Sequence, residues 1–283
     1  MASFTNFATL SYNGGTTNSN IVTGEILEAL TAVKTAVSAN YSAGDRITYA
    51  LSLVNTGTTA VTDYTVTDNL GGYTVGTNTV YPLAYNAGTV RYYINGVLQA
   101  APVVTAGPPL TVTGLTVPAG GNAVLIYETT ATNVAPLATG NSITNTATIT
   151  GGGLTNPITA QATVETANSA DLTISKALSP TTVTENGQIT YTFVISNTGN
   201  TEATAADNVI VTDTFDPILR NIAVTYNGTA WTEGTNYTYN ATTGVFATQA
   251  GQITVPAASF TQNADGTFTV TPGTATLVIT GTI

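Results

Sequence analysis

Apolar and polar residues alternate with a period of two through most of this chain. Arg46 to Asn55 puts Ile47, Tyr49, Leu51 and Leu53 on one face, and Ala123 to Tyr127 and Ser142 to Thr150 repeat the pattern. Short alternating runs bounded by Asn-Thr-Gly and Asn-Gly turns predict half-buried antiparallel strands. One segment conflicts with this reading, because Ile26, Leu30, Val33 and Val37 are spaced like a helical stripe. A later counterpart decides the matter: Leu172 to Leu178 alternates and runs into Pro180, so a strand is predicted at both places.

That counterpart belongs to a duplication of the chain. Residues 45–57, DRITYALSLVNTG, reappear as residues 187–199, GQITYTFVISNTG. Each copy continues into a TDN- or TDT-ended strand, Tyr64 to Asp68 or Val209 to Asp213, and later into Leu115 to Pro118 or Ile253 to Pro256. The only two lysines, Lys34 and Lys176, each stand fifteen residues before the repeat tyrosine, Tyr49 or Tyr191. The predicted fold class is all-β: two tandem Ig-like antiparallel β-sandwiches with an N-terminal donor strand or hairpin segment. The expected organisation is residues 1–28 as donor segment and linker, 29–168 as repeat domain 1 and 169–283 as repeat domain 2.

Composition narrows the chemistry. The 283 residues contain neither Cys nor His, which removes disulfides, thiolate and imidazole nucleophiles, Ser-His-Asp triads and Cys/His zinc sites. A net charge of -10 with only five basic residues disfavours a nucleic-acid partner. The acidic residues never reach the density of a calcium loop, so neither a metal nor a cofactor is expected. No apolar stretch has the length to span a membrane, and the N-terminus has no recognisable signal peptide. Four Asn-X-Ser/Thr patterns, at Asn40, Asn227, Asn236 and Asn240, are ordinary in so Asn- and Thr-rich a chain. Trp231 and the tyrosines around Tyr92 and Tyr237 read either as a carbohydrate surface or, at less cost, as strand packing.

The two copies differ at one place. After its LTVP the first copy runs on through Ser142-Ile-Thr-Asn-Thr-Ala-Thr-Ile-Thr-Gly-Gly-Gly153, whereas the second reaches Ile283 without such a segment. Its sandwich is expected to lack that strand, leaving an apolar groove and an unpaired edge. Residues 3–14, SFTNFATLSYNG, match residues 142–153 nearly position for position. The expected donor strand therefore carries Phe4, Asn6, Ala8 and Leu10 into a second repeat, either of another subunit or of its own chain. Donation between subunits is open-ended and builds a head-to-tail homopolymer, for which an anchoring or capping surface protein would be a further partner.

Period-two phasing also places polar residues on apolar faces. Lys34 shares a face with Leu30 and Ala32, Asp68 with Tyr64 and Val66, and Asn145 with Ile143 and Ala147; Lys176 and Asp213 repeat the first two. Buried charges of this kind must meet one another. Two outcomes fit: a buried ion pair with an amide neighbour, or an isopeptide bond in which a neutral lysine attacks an asparagine carboxamide beside a protonated acid. The candidate sets are Lys34, Asp68 and Asn145 within a chain, and Lys176, Asp213 and Asn6 between chains. Glu128 is a weaker alternative acid, since Thr280 stands at its place in the second copy.

The Lys strand, the YTFVISNTGN strand and turn, the VIVTDTF strand and the SITNTATITG strand together resemble the conserved repeat domain of bacterial surface proteins known as domain of unknown function 11. Two such repeats in a chain of this size also resemble the ribbon-like spore appendage proteins of endospore-forming anaerobes. The resemblance implies a structural filament subunit, extracellular or on the spore surface. A surface adhesin stalk or glycan- or protein-binding module is the alternative, and an enzyme acting on an external substrate is not expected.

Overall fold

A computed structural model describes residues 2–26 and 29–283. Leu27 and Glu28, where the donor segment was expected to end, lie outside the described residues. The described chain is built from strands with a single 3-10 turn, Ala205–Asp207, and holds no helix long and apolar enough to cross a membrane.

The N-terminal segment contains β1 (Ala2–Asn6), β2 (Thr9–Tyr12), β3 (Gly15–Asn18) and β4 (Val22–Ile26). Expected as a donor strand or hairpin segment with a linker, it folds back on itself. The Asn13-Gly14 turn brings β3 against β2, and β4 pairs antiparallel with β1, so that Ser3 faces Glu25 and Asn6 faces Val22. Phe4, Phe7, Leu10, Tyr12, Ile21 and Val22 are each more than half exposed, so this hairpin has apolar side chains and no core to bury them in.

The first repeat opens with β5 (Leu30–Ala36), β6 (Asn40–Tyr41), β7 (Arg46–Asn55) and β8 (Val61–Asp68). The short strands β9 (Tyr73–Val75), β10 (Asn78–Val80), β11 (Leu83–Tyr85), β12 (Arg91–Ile94), β13 (Val97–Leu98) and β14 (Val103–Thr105) follow. It closes with β15 (Leu110–Val117), β16 (Asn122–Ala131), β17 (Ser142–Gly151) and β18 (Ile158–Thr166). Two six-stranded sheets result. One runs β13-β12-β16-β7-β5 with β11 also on β16, the other β14-β15-β8-β17-β18-β6. The alternation read in the sequence decides what lies between them: Ile47, Tyr49, Leu51 and Leu53 of β7, Leu125 and Tyr127 of β16 and Ile143, Ala147 and Ile149 of β17 are all buried in one core. The segment with helical spacing is a strand, and its outward Val33 and Val37 are exposed.

The second repeat contains β19 (Leu172–Ser179), β20 (Gln188–Asn197), β21 (Thr212–Thr214), β22 (Arg220–Tyr226), β23 (Thr229–Trp231), β24 (Tyr237–Tyr239) and β25 (Val245–Thr248). A hairpin of β26 (Ser259–Gln262) and β27 (Phe268–Thr271) precedes β28 (Gly273–Thr282). Its first sheet, β19-β20-β28-β22-β23, repeats β5-β7-β16-β12-β13. Its second has only β21-β25-β24, with β21 in the place of β8. In the first repeat β8 pairs with β15 on one side and β17 on the other; among the described residues β21 pairs with β25 alone. The strand facing that vacant place suffers for it. β18 lies over β5, which buries Leu30 and Lys34, while β19 leaves Ile174, Lys176 and Leu178 exposed.

The repeats meet at Asn200, whose side-chain amide donates to the Leu137 and Ala167 carbonyls at 3.0 and 2.9 Å. Its Oδ1 accepts from the Ser169 N–H at 3.1 Å.

Candidate covalent-bond sites

In the first repeat Lys34 projects from β5 into the core with no side-chain exposure, and its Nζ lies 2.5 Å from Asp68 Oδ2 at the end of β8. The Tyr127 hydroxyl donates to the same carboxylate oxygen, and the Leu70 N–H donates to Oδ1 at 2.9 Å. The lysine lies over aromatic faces, with Nζ 4.8 Å from the Tyr49 ring centre and 5.8 Å from that of Tyr127. Burial dominates its titration: desolvation pulls the ammonium pKa down to about 8 against the opposing pull of Asp68. At that value a tenth or so of the amine is neutral at pH 7, enough to serve as a nucleophile.

Asn145 completes the cluster from β17. Asp68 stands opposite Ala147, and Asn145 lies two residues along the same inward row, fully buried. It is close enough to the hydroxyls of Tyr49 and Tyr127 to lower the pKa of each, although burial keeps both well above the usual tyrosine range. No formed hydrogen bond joins it to either, and both polar atoms of its carboxamide are unpaired, as is the Tyr49 hydroxyl. Leaving a buried polar atom unpaired costs about 1–3 kcal/mol. A relaxed core would not be expected to keep three such atoms side by side, whereas a carboxamide poised for attack has reason to be unengaged.

The second repeat has the same parts in an open setting. Lys176 and Asp213 form an ion pair whose side chains are 40% and 17% exposed. Lys176 Nζ lies 4.5 Å from the Tyr191 ring centre and 5.4 Å from those of Phe193 and Phe215. Both residues were placed by phasing on an inward face; the covering layer over them is missing among the described residues. Asn6, the expected amide for this site, is exposed on β1 and has no hydrogen bond to Lys176 or Asp213. Of the expected donor row, Phe4, Ala8 and Leu10 are exposed as well.

Glu128, the weaker alternative acid, is excluded from the first site by its direction. It points to the outer face of β16 and pairs at 3.3 Å with Arg46, which is 74% exposed. The aromatic residues considered as a sugar surface pack within the fold: Trp231 stacks on Tyr226, Tyr237 on Phe246, and the buried Tyr92 bonds Thr116. Sequence reasoning did not single out Tyr49 and Tyr127. Tyr49 had a signal, since ITY recurs as residues 189–191, but Tyr127 had none, because Ile279 stands in its place. Among the described residues no group of acidic side chains is arranged to hold a metal ion.

The family model of the BatD DUF11-like domain matches residues 176–276, from Lys176 to the middle of β28. The match falls within the second repeat. No curated protein matches the chain. Among solved structures it is similar to BcpA, the major pilin subunit of Bacillus cereus, at 14% identity and a TM-score of 0.35, over 96% of this chain and 73% of that one. It is also similar to the pilus backbone RrgB of Streptococcus pneumoniae, at 11% identity and a TM-score of 0.35, over 86% of this chain and 55% of that one. A third is the N-terminal domain of the Streptococcus gordonii adhesin Sgo0707, at 12% identity and a TM-score of 0.35, over 52% of this chain and 34% of that one. The chain thus spans about a third of the Sgo0707 fragment and about half of RrgB. The two repeats share an all-β architecture of facing antiparallel sheets.

Proposed function

We propose that this protein is the structural subunit of a surface filament, in which the N-terminal hairpin of one chain fills the second repeat of another, head to tail. The observation that carries this reading is the likeness between the β1–β4 hairpin and the β17–β18 hairpin. Their first strands match in sequence, and both set a Ser opposite a Glu at the same end, Ser3 with Glu25 and Ser142 with Glu165. One hairpin is seated beside β8 in a closed core; the other is exposed, while the equivalent edge at β21 is open. Seated there as β17 is seated in the first repeat, the donor would bury Phe4, Ala8 and Leu10 and bring Asn6 to Lys176 as Asn145 is brought to Lys34.

Covalent locking follows from the same placement. The lysine Nζ attacks the asparagine Cγ, the new Nζ–Cγ bond replaces Cγ–Nδ2, and ammonia leaves. The aspartate takes the lysine proton and returns it to the departing nitrogen, so it is regenerated. Lys34 and Asn145 would join within a chain, Lys176 and Asn6 between chains. Each site turns over once, and no external substrate is involved.

Lys176→Ala separates the two parts of the reading. Filaments of this variant should still form through the hairpin but dissociate completely in boiling detergent, whereas wild-type filaments give a ladder of multimers on the same gel. A ladder that survives Lys176→Ala would refute the intersubunit lock.

A further inference from the structure

Among the described residues five buried side-chain atoms lack a hydrogen-bond partner, and three of them belong to Tyr49 and Asn145. Buried hydroxyls and carboxamides are nearly always bonded, so this concentration calls for a specific explanation. The Tyr127 hydroxyl is already committed to Asp68, and its place in the second repeat is taken by Ile279. The Tyr49 hydroxyl is uncommitted, and its place in the second repeat is again a tyrosine, Tyr191, two residues from the lysine's cross-strand partner in both copies.

Resting on the cross-linking read above, we propose that Tyr49 is a catalytic residue of the first site, its hydroxyl donating to Asn145 Oδ1 as negative charge develops there, and that Tyr191 does the same for Asn6 of an incoming chain. As the lysine nitrogen adds to Cγ, the carbonyl oxygen becomes an oxyanion in a dry core, where a donor already in position stabilises it strongly. The hydroxyl donates a hydrogen bond and keeps its proton, so it enters no balance: Asp68 carries the lysine proton to the leaving ammonia. Burial and the nearby Asp68 carboxylate hold the Tyr49 hydroxyl protonated, which suits a donor. Its unpaired state before reaction is then accounted for, since its partner is the transition state. In the second repeat Tyr191 is only partly buried, like the rest of that site, and acquires its acceptor when the donor strand arrives.

The test uses the full chain carrying Lys176→Ala, in which only the intrachain bond can form and intact mass reports it as a loss of about 17 Da. Adding Tyr49→Phe keeps the ring under Lys34 and removes the hydroxyl. Chains isolated early should retain their ammonia and lose it about 10²–10³-fold more slowly than the parent. On an Asn145→Ala background, where no bond forms, Tyr49→Phe should leave thermal unfolding unchanged or raise it, because the hydroxyl it removes has no partner. Two results would overturn the assignment: cross-linking by Tyr49→Phe as complete at first isolation as in the parent, or marked destabilisation on the Asn145→Ala background, which would give the hydroxyl a structural role. A parent that itself keeps its full unreacted mass would instead overturn the cross-linking reading on which this one stands.

Discussion

A chain lacking residues 2–13 should remain monomeric under conditions in which the intact protein forms filaments. Those residues supply β1 and β2, the strands that match β17, together with Phe4 and Leu10, which stand 54% and 64% exposed. Burying the exposed part of these two side chains contributes about 2–4 kcal/mol, before any of the backbone hydrogen bonds that an added strand makes along the edge of β21. The deletion leaves the second repeat intact, so the variant retains its acceptor and loses its donor. Mixed with intact protein it should therefore cap growing ends, and electron microscopy should show filaments shortening as its share rises. Filaments of normal length from the deleted protein alone would remove the hairpin from the assembly.

Asn145→Ala should lower the stability of the first repeat by several kcal/mol, and here the sign of the effect carries the information. In an unlinked core this substitution removes two unpaired polar atoms, a change that is neutral or stabilising apart from a small cavity. In a linked core it removes a bond that closes a loop of about 110 residues, and such a cross-link is worth about 4–5 kcal/mol by loop-closure entropy. The midpoint of thermal unfolding should then fall by more than about 10 °C. Lys34→Met offers a control with the same sign, since it cannot form the bond and also frees Asp68 of its partner. An Asn145→Ala protein that melts at or above the wild-type temperature would mean that the first repeat holds no such bond.

Much of this organisation was legible in the sequence because duplication wrote it twice. The paired motifs at residues 45–57 and 187–199 fix equivalent strands, and period-two phasing then sets Lys34, Asp68 and Asn145 on inward faces without any contact being known. The β5 segment shows the value of the second copy, for its own apolar spacing suggests a helix until Leu172 to Leu178 is laid beside it. Other features were hidden for physical reasons. Tyr49 and Tyr127 sit at alternating positions where an aromatic ring is ordinary core, and only the position of the hydroxyl relative to Asp68 and Asn145 distinguishes them. The return strand β4 was concealed by its composition, since Ser, Asn and Gly around Ile21 to Ile26 read as a linker, although the Asn13-Gly14 turn already signalled a hairpin. The exposure of Lys176 depends on which strands cover β19, a tertiary fact that no local pattern reports.

In the filament proposed above, one chain is joined to the next through Asn6 and Lys176. Mass spectrometry of the dimer band excised from a boiled-detergent ladder tests it most directly. The expected product is a branched peptide in which the segment containing Asn6 is attached to the segment containing Lys176, about 17 Da lighter than the sum of the two. Recovery of both segments from that band as separate peptides of unmodified mass would contradict it.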